Sequence, residues 1–116
     1  DARFEGSSGD MVGPSVGAGD LDGDGATDVF AGFVGGRERK WSGGVYVLYG
    51  PVSGSLSAGD ADALLAGEED NDYAGRSLSI GDTNGDGLDD LWIGTATGGM
   101  DTAPPGSAYL LLGSGM

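Results

Sequence analysis

Short apolar runs alternate along the whole chain with clusters of glycine and acidic residues. The runs are rich in Val, Ile, Leu and aromatic residues, and Gly, Ser, Pro, Asp and Asn separate them, as is typical of short strands joined by turns. The pattern predicts four kinds of strand: A at 12–18 and 74–80, B at 28–34 and 90–96, C at 44–49 and 107–112, and D at 2–5 and 61–66. Residues 58–69 also suit a short helix by composition, but their place in the spacing favours a strand.

The strands recur because the chain contains two copies of a unit of about 60 residues. The copies align in three blocks, with offsets of 62, 63 and 61: 10–36 with 72–98, 44–50 with 107–113, and 2–6 with 63–67. Four short strands per repeat predict an all-β fold, a β-propeller with two four-stranded antiparallel blades per chain.

Each repeat carries an acidic loop between strands A and B. The first acidic loop, residues 20–28, reads D-L-D-G-D-G-A-T-D, and the second, residues 82–90, reads D-T-N-G-D-G-L-D-D. Ca²⁺ takes six to eight oxygen ligands, and oxygens on alternate residues of a curled loop can converge on one ion. Glycines at positions 4 and 6 permit the positive φ that the curl needs. We therefore expect two Ca²⁺ per chain, held by side chains at positions 1, 3, 5 and 9 and a carbonyl at position 7: Asp20, Asp22, Asp24, Ala26 and Asp28, and Asp82, Asn84, Asp86, Leu88 and Asp90.

Three other interpretations of the acidic loops are weaker. Asp, Asn and Gly are good turn formers, but the same ligand spacing in two copies argues against turn preference alone. Mg²⁺ keeps its waters and demands a tighter octahedron than such a loop offers. An EF-hand needs Glu at position 12, where this chain has Ala31 and Ile93.

Together these motifs resemble the FG-GAP repeats of integrin α-subunit β-propellers and their bacterial relatives. The resemblance covers residues 2–113 and rests on the D-x-[DN]-G-D-G-x-x-D loops and on the strands that begin at Gly44 and Ser107. The Phe of the family's Phe-Gly start is missing at Val12 and Ala74, and the Gly-Ala-Pro after strand B is degraded. The resemblance implies four-stranded blades with calcium on the A–B loops, opposite the usual ligand-binding face.

The order of strands predicts how the blades are completed. We expect a single propeller unit over residues 1–116, in which 1–6 form an outer strand that closes a neighbouring blade, 7–67 form blade 1, and 68–116 form blade 2 without its outer strand. A head-to-tail homo-oligomer of three or four chains would give six or eight blades, with the trimer slightly favoured. The alternative is a piece of a longer propeller. The start at Asp1 fits a processed product, a fragment or an engineered chain.

The B–C loop of the first repeat holds a basic and aromatic cluster. Its candidate recognition residues are Arg37, Arg39, Lys40 and Trp41. The cluster would form a recognition patch or pair with charges on a neighbouring blade; the alternative is a solvated loop whose Trp covers a blade edge. Trp92 aligns with Phe30 and is expected to pack between blades. Asp89, which aligns with Thr27, is expected to be solvated and not a fifth calcium ligand.

Composition narrows the function. Nineteen Asp and Glu against five Lys and Arg give a charge of −14, which argues against nucleic acid and anionic lipid as partners. Without His or Cys the chain has no His/Cys zinc site, thiol nucleophile, disulfide or Ser-His-Asp triad. No apolar stretch approaches a membrane span, so membrane insertion is not expected.

We therefore expect a non-catalytic, calcium-stabilised module that self-assembles and acts as a scaffold or an adhesion or binding platform. Protein or glycan ligands are both open. A lectin-like carbohydrate-binding propeller and a fragment of a larger integrin-like adhesion protein are the alternatives, and a glycosidase using two carboxylates is the weakest. Because millimolar calcium is found outside cells, the expected location is extracellular, at the cell surface or periplasmic.

Overall fold

The computed structural model describes residues 2–35, 40–68, 70–95 and 107–113. In these ranges the chain forms strands and one 3₁₀ turn, Ala58–Asp60, with no α-helix and no helix able to cross a membrane. The strands are β1 (Ala2–Glu5), β2 (Val12–Gly19), β3 (Asp28–Phe33), β4 (Gly44–Leu48), β5 (Gly54–Ser57), β6 (Ala63–Ala66), β7 (Ser77–Gly81), β8 (Asp90–Gly94) and β9 (Ala108–Leu111). The all-β class is confirmed.

The first repeat forms a complete four-stranded blade. Its strands pair in the order β2-β3-β4-β6, and all three pairings are antiparallel. These are the predicted strands A, B, C and D. Residues 58–69, whose sequence suits both a short helix and a strand, contain the 3₁₀ turn and then β6. The strand interpretation is therefore right for the second half of this stretch.

The second repeat forms a three-stranded antiparallel sheet in the order β7-β8-β9. β7 begins at Ser77, three residues later than predicted, because Tyr73 and Gly75 have positive φ and the chain turns there. Within the described residues no strand lies beyond β9, so this sheet corresponds to strands A, B and C of a blade.

The two blades share one apolar core. Phe30, Val45 and Val47 on one face of the first blade are almost completely buried, as are Leu91 and Ile93 on the facing side of the second. The partly buried residues that complete the cluster are Tyr49, Ala63, Leu65, Leu78 and Ile80. The side chains of each strand alternate between the two faces of its sheet, so each blade offers one face to its neighbour on either side.

The inner strands of the two blades, β2 and β7, lie against each other. The Ser15 hydroxyl donates a hydrogen bond of 2.6 Å to the Gly75 carbonyl. A Cβ on Gly75 would lie 2.0 Å from the Gly44 carbonyl oxygen, so only glycine permits this approach. Backbone hydrogen bonds from Tyr73 and Ala74 to the carbonyls of 41 and 42 join the blades at one end.

The N-terminal strand has a partner that the sequence analysis did not predict. β1 pairs in parallel with β5, and Phe4 packs on Tyr46 of the first blade with ring centroids 5.1 Å apart. Phe4 aligns with Leu65 and Tyr46 with Tyr109, and Leu65 and Tyr109 together line the groove between β6 and the second blade. β1 therefore lies against the first blade in the same way that β6, the outer strand of the first blade, lies against the second blade. The closing of a neighbouring blade by residues 1–6 stays a prediction.

Candidate metal centres

The first acidic loop curls around the side chain at its first position. The Asp20 carboxylate accepts hydrogen bonds from the N–H groups of Gly23 and Gly25, at 2.9 and 3.0 Å. Asp24 accepts one from the Ala26 N–H at 2.8 Å, while Asp22 accepts one from the Asp24 N–H at 3.2 Å. The two glycines have φ of 79° and 83°, as predicted from the sequence.

The second acidic loop repeats these four hydrogen bonds and adds one of 3.2 Å from the Asp86 N–H to Asp82. Asp82 accepts hydrogen bonds from the N–H groups of Gly85 and Gly87, at 2.8 and 2.9 Å. Asp86 accepts one from the Leu88 N–H at 2.9 Å, and the Asn84 amide oxygen accepts one from the Asp86 N–H at 3.3 Å. Two loops that share only part of their sequence thus adopt the same curl, because the residues that make the curl are the shared ones.

The last aspartate of each loop is buried and ties the loop to the end of strand C. Asp28 accepts hydrogen bonds from the N–H groups of Leu21 and Gly50, at 2.7 and 2.9 Å. Asp90 accepts the equivalent bonds from Thr83 and Gly113, at 2.7 and 2.8 Å, and a further one of 2.6 Å from the Thr83 hydroxyl. The Thr83 hydroxyl, followed by the Gly113 N–H, holds the pKa of Asp90 below its usual value.

Three carboxylates converge in the first acidic loop. Asp20, Asp22 and Asp28 each offer an oxygen, and these atoms lie within 4.8 Å of one another. Two ligands of one Ca²⁺ at about 2.6 Å each can be no more than about 5.2 Å apart, so the spacing fits a calcium ion. Partial burial, together with the nearby carboxylates of Asp28 and Asp24, raises the pKa of Asp22. All the candidate ligand atoms are hard oxygens, which suit Ca²⁺ and not a soft metal.

The other predicted ligands lie in the same loops but are engaged with the backbone. Asp24 and Asp86 cap the N–H groups two residues on, and Asp82 and Asp90 occupy the places of Asp20 and Asp28. Residues 26 and 88, whose N–H groups donate these hydrogen bonds, also carry the carbonyls that are predicted ligands. The assignment of all ten residues as calcium ligands stays a prediction.

The candidate recognition loop is only partly described. Arg37 and Arg39 lie outside the described residues. Lys40 is exposed, and Trp41 is half-buried and stacks on Tyr73 with ring centroids 6.1 Å apart. Since Tyr73 leads into the second blade, Trp41 lies at the junction of the two blades. The recognition role of this loop stays a prediction.

Two side chains have environments that the repeat alignment did not indicate. Asp89 is half-buried at the contact between the acidic loops, and its carboxylate accepts a 2.9 Å hydrogen bond from the Asp20 N–H. Trp92 is 38% exposed, whereas Phe30 is buried, because within the described residues no blade covers the Trp92 face. The packing of Trp92 between blades stays a prediction.

Sequence reasoning missed a buried polar pair. The Tyr46 hydroxyl donates a 2.5 Å hydrogen bond to the buried Asp10 carboxylate, which also accepts the Ser7 N–H. The repeat alignment could have revealed it, because Asp10 aligns with Asp72 and Tyr46 with Tyr109. An Asp–Tyr pair that recurs in both repeats indicates a contact between the segment before strand A, which holds the Asp, and strand C, which holds the Tyr.

The first repeat is thus a four-stranded and the second a three-stranded antiparallel sheet, and each carries an acidic loop between its first two strands. Comparison with protein-family models identifies an FG-GAP repeat at residues 74–111, which confirms the resemblance to FG-GAP propellers. The match spans β7, the second acidic loop, β8 and β9. No curated protein matches the chain. FG-GAP repeats are typical of non-enzymatic adhesion and binding propellers, so this repeat indicates an integrin-like β-propeller binding module.

Proposed function

We propose that this chain is a non-catalytic, calcium-stabilised propeller module that assembles head to tail into a ring and serves as a scaffold or an adhesion or binding platform. The observation that carries the proposal is the identical hydrogen-bonded curl of the two acidic loops, with three carboxylates converging in the first. The FG-GAP match to the second repeat supports the same assignment.

Calcium would act on the stability of these loops. Each loop concentrates carboxylates within nine residues of a chain that already carries a charge of −14, and their repulsion opposes the curl. A bound cation supplies the opposing positive charge. Asp20, Asp22 and Asp28 would hold it in the first loop, and Asp82, Asn84 and Asp90 are the equivalent residues in the second. An ion that binds the folded loop but not the unfolded chain stabilises the fold by mass action.

The test is thermal unfolding over a range of calcium concentrations, with one ligand removed from either loop. Calcium at about one hundred times its Kd should stabilise the wild-type chain by about 2.7 kcal/mol per site. Asp22→Ala and Asp86→Ala should each lose the calcium-dependent stabilisation of one site. Asp70→Ala, which changes an exposed aspartate outside both loops, should keep the full stabilisation by calcium. Melting that does not depend on calcium in the wild-type chain contradicts the proposal.

Assembly is supported by apolar side chains that stay exposed on the outer faces of the two blades, Trp92 and Leu110 on the second and Val16 and Ala18 on the first. Trp92 and Leu110 lie opposite each other on the outer face of the second blade, where Phe30 and Val47 lie in the first. The facing surface of the first blade carries Ala18 where the second carries Ile80. At an interface between two chains, the larger Trp92 would take the place of Phe30 and the smaller Ala18 the place of Ile80. The total side-chain volume of the interface between the two blades would therefore be kept between chains.

The repeat also predicts how β1 would pair with β9 of a second copy. Within the first blade, Tyr46 of β4 lies opposite Leu64 of β6. Applying the repeat offsets places Tyr109 opposite Arg3 of the neighbour. β5 occupies one edge of β1, and the other edge has no ladder partner among the described residues, so it can receive β9.

Native mass spectrometry in calcium tests the assembly. Closed rings of three or four chains of 11.5 kDa should appear near 34.5 or 46 kDa. The chain has no cysteine, so mixing an Arg3→Cys chain with a Tyr109→Cys chain tests the register by disulfide formation. Mixing Arg3→Cys with Leu110→Cys, one residue out of register, is the control. A monomer at every calcium concentration contradicts the ring.

The proposed location follows from the proposed metal. Calcium sites of extracellular modules have Kd values of about 10⁻⁴–10⁻³ M, a range that is filled outside cells and not in a cytosol. We accordingly assign the module to an extracellular, cell-surface or periplasmic setting. Calcium affinity tighter than about 10⁻⁶ M would remove this argument.

A further inference from the structure

The two acidic loops are joined by a reciprocal hydrogen-bonded pair across the blade interface. The Asp89 carboxylate accepts a 2.9 Å hydrogen bond from the Asp20 N–H, and the Asp20 carbonyl accepts one of 3.1 Å from the Asp89 N–H. Asp20 is the first residue of the first loop, and Asp89 is the last residue but one of the second. The second loop therefore contacts the first at Asp20, whose side chain also shapes the curl of the first loop.

The surroundings of Asp89 are built for this contact. A Cβ on Gly19 would lie 2.8 Å from the Asp89 carboxylate and 2.6 Å from the Ile80 side chain, so glycine is needed there. A Cβ on Gly113 would lie 2.2 Å from the Asp89 carbonyl oxygen. The residue that aligns with Asp89 in the first repeat is Thr27, which has no carboxylate. The bridge is thus specific to the contact between these two blades.

We infer that Asp89 is a positioning residue that couples the two acidic loops. The Asp20 side chain holds the first loop through Gly23 and Gly25, while its backbone is held by Asp89. Asp89 in turn precedes Asp90, which is buried and anchored by hydrogen bonds. When the second loop is ordered, the Asp89 carboxylate is held in place to accept the Asp20 N–H. When the second loop loosens, this hydrogen bond is lost.

This coupling has a consequence for cation binding, which rests on the proposed function. A cation that orders the second loop raises the affinity of the first, and linkage makes the effect reciprocal. Two cations on adjacent loops repel each other, and the negative charge of Asp89 beside the first loop offsets part of that repulsion. The second calcium ion should bind at least about fivefold more tightly than it would to an uncoupled loop, the lower end of ordinary coupling between sites.

Calcium titration by calorimetry tests the coupling. The wild-type chain should bind two ions cooperatively, whereas Asp89→Ala and Asp89→Thr, the residue of the first repeat, should bind two ions independently. Asp70→Ala, which removes the same charge from an exposed position, should keep the cooperativity. Independent sites in the wild-type chain, or unchanged cooperativity in Asp89→Ala, would overturn the inference.

A measurement without calcium separates this inference from the proposed function. In chelator, Asp82→Ala removes the acceptor of the Gly85 and Gly87 N–H groups, so it should loosen the second loop and speed amide hydrogen exchange at Gly23 and Gly25 of the first. In an Asp89→Ala background, Asp82→Ala should produce no further change in the first loop. Failure of every variant to bind calcium would refute the proposed function alone, while additive exchange effects of the two substitutions would refute the coupling alone.

Discussion

Replacing Asp28 with alanine should destabilise the chain even when no calcium is present. The Asp28 side chain is fully buried, and its two carboxylate oxygens accept hydrogen bonds from Leu21 at 2.7 Å and Gly50 at 2.9 Å. These bonds tie the start of the first acidic loop to the end of β4. Asp24, by contrast, is exposed and bonds only within its own loop at the Ala26 N–H.

The expected cost follows from the two donors that Asp28→Ala leaves behind. The buried Leu21 N–H without an acceptor costs about 1–3 kcal/mol, and the half-buried Gly50 N–H adds a smaller cost because water can replace part of its hydrogen bond. The total stability of a single domain is about 5–15 kcal/mol. Asp28→Ala should therefore remove a large share of the stability in chelator, whereas Asp24→Ala should change it by no more than about 0.5 kcal/mol.

Urea unfolding in chelator and in saturating calcium distinguishes the two variants. Asp28→Ala should shift the midpoint strongly in both conditions, and Asp24→Ala should shift it only in calcium. A common m-value would show that each variant unfolds from the same native state. Equal stability of the two variants in chelator would refute the assignment of Asp28 as a buried anchor of the loop.

Three further predictions concern other parts of the structure. Leu65→Phe should raise the stability by about 0.5–2 kcal/mol in thermal unfolding, because it fills the groove of about 190 Å³ as Phe4 does in the first repeat, whereas Leu64→Phe, on an exposed position, should not. In chelator, Thr83→Val should let the pKa of Asp90 rise towards its usual value. A carboxylate with a lowered pKa stabilises the fold above its unfolded pKa and loses that effect as the pH falls through the folded one, so Thr83→Val should be less stable than wild type at neutral pH and approach it in acid. Trp92→Ser should lower the fraction of ring in native mass spectra without lowering the number of calcium ions per chain, and a lower calcium count would contradict it.

The blade architecture could be predicted because the repeat determines it. The run 44–48 is buried on both faces, and each predicted strand of the first repeat forms and pairs in the expected order. The curl of the acidic loops could be predicted for a related reason: Asp, Asn and Gly act on the backbone within a few residues of themselves. Local chemistry of this kind is visible in a single sequence.

Contacts that depend on distant residues could not be predicted in this way. The pairing of β1 with β5 joins two short strands about 50 residues apart whose sequences do not alternate clearly. Asp89 aligns with a threonine, so the repeat gave no indication that it bridges two blades. The exposure of Trp92 depends on what lies beyond its sheet, which no local pattern encodes.

Counting calcium ions by native mass spectrometry tests the central claim most directly. In millimolar calcium the wild-type chain should carry two ions, Asp22→Ala and Asp86→Ala should carry one each, and the double variant should carry none. Chelation should return the wild-type chain to its metal-free mass of 11.5 kDa per chain. A wild-type chain that holds no calcium, or a double variant that still holds two ions, would contradict the assignment of the two acidic loops as calcium sites.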